Sequence, residues 1–170
     1  MKFSILAGII LILGLQFSCT KSTEKEETTA EQPKISADSL NILAQEWLET
    51  NIETYFKKTP EDFKYLCTPE YYEYKSDAIQ VGYDGGLEDE EFIKKWSPKF
   101  NTKLAGMGLG FMISGQDFGK IQVTSVTPTD TNLFYNVVID DVAFRTTYHR
   151  KIKLVPAETS FLIADIEEID

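Results

Sequence analysis

The sequence predicts an α+β domain in which N-terminal helices pack on one face of a curved antiparallel sheet of about four strands in meander order. In the first half of the chain, apolar residues recur at helical spacing. In the second half, four segments rich in strand-forming residues are joined by short turns. Because the strands follow the helices instead of alternating with them, one helical layer on one sheet is expected.

The first helix is predicted over residues 37–56, where the apolar positions follow the i, i+3, i+4 spacing of one buried helix face. These positions are Leu40, Leu43, Ala44, Trp47, Leu48, Ile52, Tyr55 and Phe56. The sequence therefore predicts an amphipathic helix that buries this whole set.

Two further helix starts follow, at residues 59–62 and 68–70. Each has a threonine cap, a proline at the first helical position and acids in the first turn. They predict a short helix near 60–67 and a second helix near 69–80. Cys67 then falls in an apolar helical stretch, where a buried, unreactive thiol is expected.

A fourth helix is predicted over residues 88–96, after the turn at 84–86. Acids stand at its start and lysines at its end, as the helix dipole favours. The proline at 98 ends it.

The strands are predicted near residues 120–124, 133–141, 142–155 and 161–169. In the third of these, alternation places Val142, Phe144, Tyr148, Ile152 and Leu154 on the buried face. The polar face carries Arg145, Thr147, His149, Lys151 and Lys153.

The N-terminus reads as a targeting segment followed by a tether. Residues 5–15 are all apolar, which is long enough for the core of a signal peptide and shorter than the ~20 residues that a membrane span needs. Residues 20–36 are mostly polar and cannot bury enough surface to fold. We therefore expect a signal peptide over 1–18, Cys19 with a flexible tether over 19–36, and a single domain over 37–170.

Ser18 followed by Cys19, at the end of the apolar run, resembles the lipobox of bacterial lipoproteins. The resemblance implies an exported protein whose Cys19 sulfur carries a diacylglycerol. It would then be anchored to a bacterial membrane, namely the outer membrane on its periplasmic or cell-surface side. A plain thiol, or a disulfide between Cys19 and Cys67, is the alternative.

The stretch 113–117, followed by a strand, and the terminal strand at 161–166 resemble those of a family of uncharacterised lipoproteins from Gram-negative bacteria. The element order resembles the cone-shaped nuclear transport factor 2-like and SnoaL-like superfamily. That resemblance implies a pocket between the helices and the sheet, with Arg150, Tyr148, Gln116 and Asp117 near its wall. Members include enzymes and binding modules, so the fold leaves the function open.

Arg150 has several competing interpretations, because strand alternation turns this charged side chain toward the interior. A buried guanidinium needs a carboxylate or several acceptors. One interpretation is an internal ion pair with Asp117 or with an acid of the last strand. The others are an anion-binding group in the pocket and a strand bulge that turns the side chain outward.

Other chemistry has weak support. One histidine, His149, is too few for the usual zinc sites. A triad of Ser114, His149 and Asp117 lacks the sequence motif of a nucleophile elbow. The glycine-rich run at 106–110 lacks the preceding strand and following helix of a nucleotide site, so a flexible or closely packed backbone segment is expected. We predict neither a metal nor another cofactor.

The formal net charge of −10 argues against nucleic acid as a partner, because phosphates select basic surfaces. The leading hypothesis is a non-enzymatic binding or protein-interaction domain that meets the membrane through its lipid anchor and takes a protein partner or a small ligand. The alternatives are a small-ligand binder or enzyme that uses the pocket, and an inhibitor or immunity-type protein.

Overall fold

The computed structural model describes residues 36–57, 62–115 and 117–169. Three helices precede four strands, which confirms the predicted α+β order. They are α1 (Ala37–Lys57), α2 (Pro69–Gln80), α3 (Asp89–Trp96), β1 (Ile121–Pro128), β2 (Phe134–Asp141), β3 (Thr146–Ala157) and β4 (Ser160–Glu168), with single 3-10 turns at Phe63–Tyr65 and Thr102–Leu104.

The four strands form one antiparallel sheet in the order β1-β2-β3-β4, which confirms the predicted meander. The register shifts once between β1 and β2, beside Val123, and once between β3 and β4, beside Lys153. The second shift lies outside the stretch in which Arg150 pairs with Glu168, so no bulge turns Arg150 outward.

One face of the sheet is buried against the helices. On the central strands this face carries Tyr135, Val137, Ile139, Arg150, Ile152 and Leu154. The core stripe of α1 is Ala44, Leu48, Ile52 and Phe56, one residue per turn. Leu43 was predicted to join this stripe but is 46% exposed, because it lies just outside the narrow arc that meets the sheet.

The edge of β4 is covered by the segment that leads into α2. Thr68 N–H donates to the Ile163 carbonyl, and Ile163 N–H donates to the Leu66 carbonyl, both at 2.8 Å. Cys67 therefore forms a parallel bridge to Ile163 and is not helical, and the predicted helix near 60–67 reduces to the single turn at Phe63–Tyr65 within the described residues. The thiol is buried, as predicted, and burial raises the pKa of Cys67.

The third predicted strand began too early. Residues 142–145 form the β2–β3 turn, in which the Asp141 carboxylate accepts from the N–H groups of Ala143 (3.0 Å) and Phe144 (3.1 Å). Val142 and Phe144 are consequently 51% and 59% exposed and do not join the buried face. A short acceptor side chain that binds its own turn outweighs the local strand preference of these residues.

The helices begin as the capping patterns predict. The Thr68 hydroxyl accepts from Tyr71 N–H at 3.2 Å, and Pro69 stands at the first position of α2. Glu88 and Glu91 form a capping box at the start of α3. Ring stacking of Tyr74 against Phe100, at 4.2 Å between centroids, links α2 to the segment after α3.

Candidate functional site

Arg150 lies in the core, on β3, with no exposed surface. Its Nε donates to the Met112 carbonyl at 2.8 Å, and its Nη1 donates to the His149 carbonyl at 2.7 Å. Its Nη2 is 3.5 Å from Oε2 of Glu168, the cross-strand neighbour on β4. Of the sequence-level interpretations, the internal ion pair with an acid of the last strand is the one that the geometry matches.

Lys75 of α2 reaches the same carboxylate from the opposite layer, a contact that the sequence analysis missed. Its Nζ lies 2.7 Å from Oε1 of Glu168 and also donates to the carbonyls of Ala105 (2.8 Å) and Gly106 (3.3 Å). Only 2% of Lys75 is exposed. Its place four residues after Tyr71 and three before Ala78, on the apolar face of the helix, is the signal that could have revealed it.

Burial lowers the pKa of the Lys75 ammonium below its usual 10.5. The Glu168 carboxylate opposes that shift, and the positive charge of Arg150 adds to it. Lys75, Arg150 and Glu168, which we call the buried ion cluster, thus tie α2 to the last two strands through side chains that are at least nine-tenths buried.

The glycine-rich segment supplies backbone to this cluster. Gly106 has a φ of +59°, and a Cβ placed on it would overlap the Glu168 carboxylate. Met112 has a φ of +65° and is buried, with its carbonyl held by Arg150. The segment is therefore closely packed backbone where it meets the cluster.

On the surface, an open groove of about 480 Å³ lies between the end of α2 and this segment. Ile79, Gln80 and Tyr83 form one wall, and residues 108–110 and 114–115 form the other. We call it the α2 groove. Among the residues that the structure describes, none with a charged side chain lines the groove. The volume falls within the ~300–1,000 Å³ that is usual for small-molecule sites.

Of the predicted pocket residues, Arg150, Tyr148 and Asp117 are not among the described residues that line the α2 groove. Arg150 is in the core with its Cζ 5.2 Å from the ring centre of half-buried Tyr148, and Asp117 is exposed. Gln116 and Cys19, the predicted site of lipid attachment, lie outside the described residues. A ligand-binding role for Arg150, Tyr148, Gln116 and Asp117 stays a prediction.

The remaining candidates are scattered on the surface. Ser114 is exposed at the α2 groove, and His149 is exposed on the polar face of β3. Across residues 36–57, 62–115 and 117–169, no group of three His, Cys, Asp or Glu side chains is placed to hold a metal ion. In the same ranges, every helix is too short or too polar to cross a membrane.

Comparison with protein-family models, curated proteins and solved structures finds no match to this chain.

Proposed function

We propose that this protein is a membrane-tethered, non-enzymatic binding domain that presents the α2 groove to its ligand. The tether follows from the lipobox-like Ser18 and Cys19 and from the polar stretch 20–36. One observation supports the binding role: the charged cluster and the groove are in different places. The charges of the buried ion cluster pair with one another in the core, whereas the described residues that line the open groove are uncharged.

A binding role fits this separation better than catalysis does. Acid–base and nucleophilic catalysis need a titratable group that can reach the substrate. Lys75 and Arg150 are buried among carbonyls and a carboxylate, and burial raises the pKa of the Cys67 thiol, which disfavours the reactive thiolate. The groove lining offers an amide, two kinds of hydroxyl and backbone, which suit recognition.

The anchor is tested by growing the producing bacterium with an alkyne fatty acid and comparing the parent chain with Cys19→Ala. We expect label and membrane association in the parent and neither in the variant. Label retained in Cys19→Ala would refute lipidation at this residue.

The binding site is tested by site-specific photo-crosslinking in the same cells. Tyr83→benzoylphenylalanine places the probe at the groove, and Tyr65→benzoylphenylalanine places it on an aromatic position that is 69% exposed elsewhere. We expect a discrete adduct from position 83 and none of the same mass from position 65. Identical patterns from both positions, or no adduct from position 83, would reject the groove as the binding site.

A further inference from the structure

We infer that the ligand of the α2 groove is an uncharged oligosaccharide; this inference rests on the proposed function and names its ligand class. Three properties of the groove carry it: side chains that both donate and accept hydrogen bonds, an exposed aromatic ring at the rim, and the absence of charge from the lining.

The polar side chains of the lining are Gln80, Tyr83 and Ser114. A carboxamide presents both donors and an acceptor, and a hydroxyl group can act in either direction. Sugar hydroxyls are likewise donors and acceptors at once, so each of these side chains can pair with them without an orphaned partner. Gln80 and Ser114 are both exposed, so their polar ends are available to a ligand.

Tyr83 is 62% exposed although it is a large aromatic residue. Its phenol combines an apolar ring with a polar tip. A pyranose ring has the complementary character, since its C–H faces are apolar and its edge carries hydroxyls. Half-buried Ile79 and Leu109 add apolar surface to the groove beside it.

Glycines in the opposite wall leave its backbone open to direct contact with a ligand. Gly108, Gly110 and Gly115 line it without side chains. Gly108 has a φ of +72°, and its N–H donates to the Ala78 carbonyl at 2.8 Å, which fixes this wall to the end of α2. A flat ring can therefore approach the backbone closely across a wall that is held in place.

The electrostatics of the groove disfavour anions. No Lys or Arg stands among the described residues of the lining, and the groove lies at the carboxyl end of a 12-residue helix, where the helix dipole is negative. The chain has a formal net charge of −10. Phosphorylated ligands and uronic-acid polymers would meet repulsion here, which leaves neutral sugars as the carbohydrates that fit.

The test uses the full chain purified from membranes in detergent and applied to an array of neutral oligosaccharides (gluco-, manno- and chito-oligomers) and anionic ones (oligogalacturonates). We expect binding to at least one neutral series. Tyr83→Ala should weaken it about tenfold or more, Tyr83→Phe should keep it within about threefold because the ring remains, and Tyr65→Ala should leave it unchanged. Melting curves establish that each variant is folded.

Failure to bind any neutral oligosaccharide, preference for the anionic ones, or binding that Tyr83→Ala leaves unchanged would each overturn the inference. The crosslinking experiment at position 83 shows whether only the sugar inference is wrong or the proposed binding function is wrong as well. If proteases degrade the captured partner and glycosidases do not, the groove binds a protein: the proposed function stands and the sugar inference falls. If there is no adduct, both fall.

Discussion

The Lys75 ammonium on α2 lies 2.7 Å from the Glu168 carboxylate on β4, and both side chains are at least nine-tenths buried. Arg150 faces the other oxygen of the same carboxylate at 3.5 Å. Two cations from different layers of the fold thus meet one anion in the core. Glu168 should be the most sensitive member of the cluster, because its loss affects both cations.

Glu168→Gln is therefore expected to lower the free energy of unfolding by about 3–5 kcal/mol, the usual effect of leaving buried charge uncompensated. Urea unfolding followed by circular dichroism measures it. Glu167→Gln is the matched control: it is the preceding residue, pairs with Lys151 at 3.5 Å near the surface, and should change stability by less than about 1 kcal/mol. Equal losses in the two variants would contradict the argument.

Lys75→Met should cost less than Glu168→Gln, because the Glu168 carboxylate keeps Arg150 as a partner. The methionine also fills much of the volume of the lysine stem. The same urea titration ranks the two variants, and a larger loss for Lys75→Met would show that Lys75, not Glu168, is the critical member.

Gly106→Ala is expected to destabilise the protein more than Gly85→Ala does. Both glycines have positive φ, +59° and +82°, so both substitutions carry the roughly 1–2 kcal/mol of left-handed strain. Only at Gly106 would the new Cβ overlap the Glu168 carboxylate, whereas the space beside Gly85 is open. Thermal unfolding of the two variants checks this, and equal shifts in Tm would mean that the loop simply moves aside.

The sequence was sufficient for the architecture because the signals involved are local. Helical spacing over 37–56 and the Thr-Pro cap at 68 need no knowledge of distant residues. The predictions of secondary structure failed where a contact between distant residues, or a hydrogen bond within a turn, determines the local conformation. Cys67 looked helical but pairs with Ile163, nearly a hundred residues later, and the turn built by Asp141 shortened the third strand.

The candidate site was harder to predict than the fold. Strand alternation correctly turned Arg150 inward, but its partners come from three separate segments, at Met112, His149 and Glu168. For Lys75, the helix spacing signals burial, but its partners at 105, 106 and 168 are distant in the chain and no local pattern identifies them. The α2 groove depends on where the glycine segment crosses the end of α2, and no periodic pattern encodes that crossing.

Asp165 on β4 should give stability a distinct pH dependence. Burial raises its pKa to about 6, the neighbouring Glu167 adds to the shift, and Ile166 N–H with Lys153 and Lys151 opposes it. The folded state then binds a proton more tightly than the unfolded state, so this group's contribution to stability falls as the pH rises from about 4 to about 6.

Asp165→Asn removes this titration. Its stability relative to the parent should be highest at pH 7 and should decline by about 1–3 kcal/mol on going to pH 4. Urea unfolding at both values measures the difference, and Glu158→Gln, in the exposed turn after β3, should show a smaller pH-dependent change. An Asp165→Asn advantage that does not vary with pH would refute the raised pKa.

The outer edge of β1 is protected by side chains of α1 instead of a further strand. Glu53 accepts from Val123 N–H at 3.3 Å, and the Gln45 amide donates to the Val126 carbonyl at 3.1 Å. Unprotected edges are templates for pairing with another chain. We therefore expect the double variant Gln45→Ala/Glu53→Ala to self-associate, with a shift to larger species in size-exclusion chromatography and faster aggregation on heating.

The control is Glu49→Ala/Thr50→Ala, which removes one acid and one uncharged polar side chain from exposed positions of the same helix. The two double variants therefore lose the same formal charge, so reduced electrostatic repulsion cannot explain a difference between them. If neither variant associates more than the parent chain does, the two α1 side chains are not what protects this edge. If only the Gln45/Glu53 variant associates, the two α1 side chains block addition of a strand at this edge.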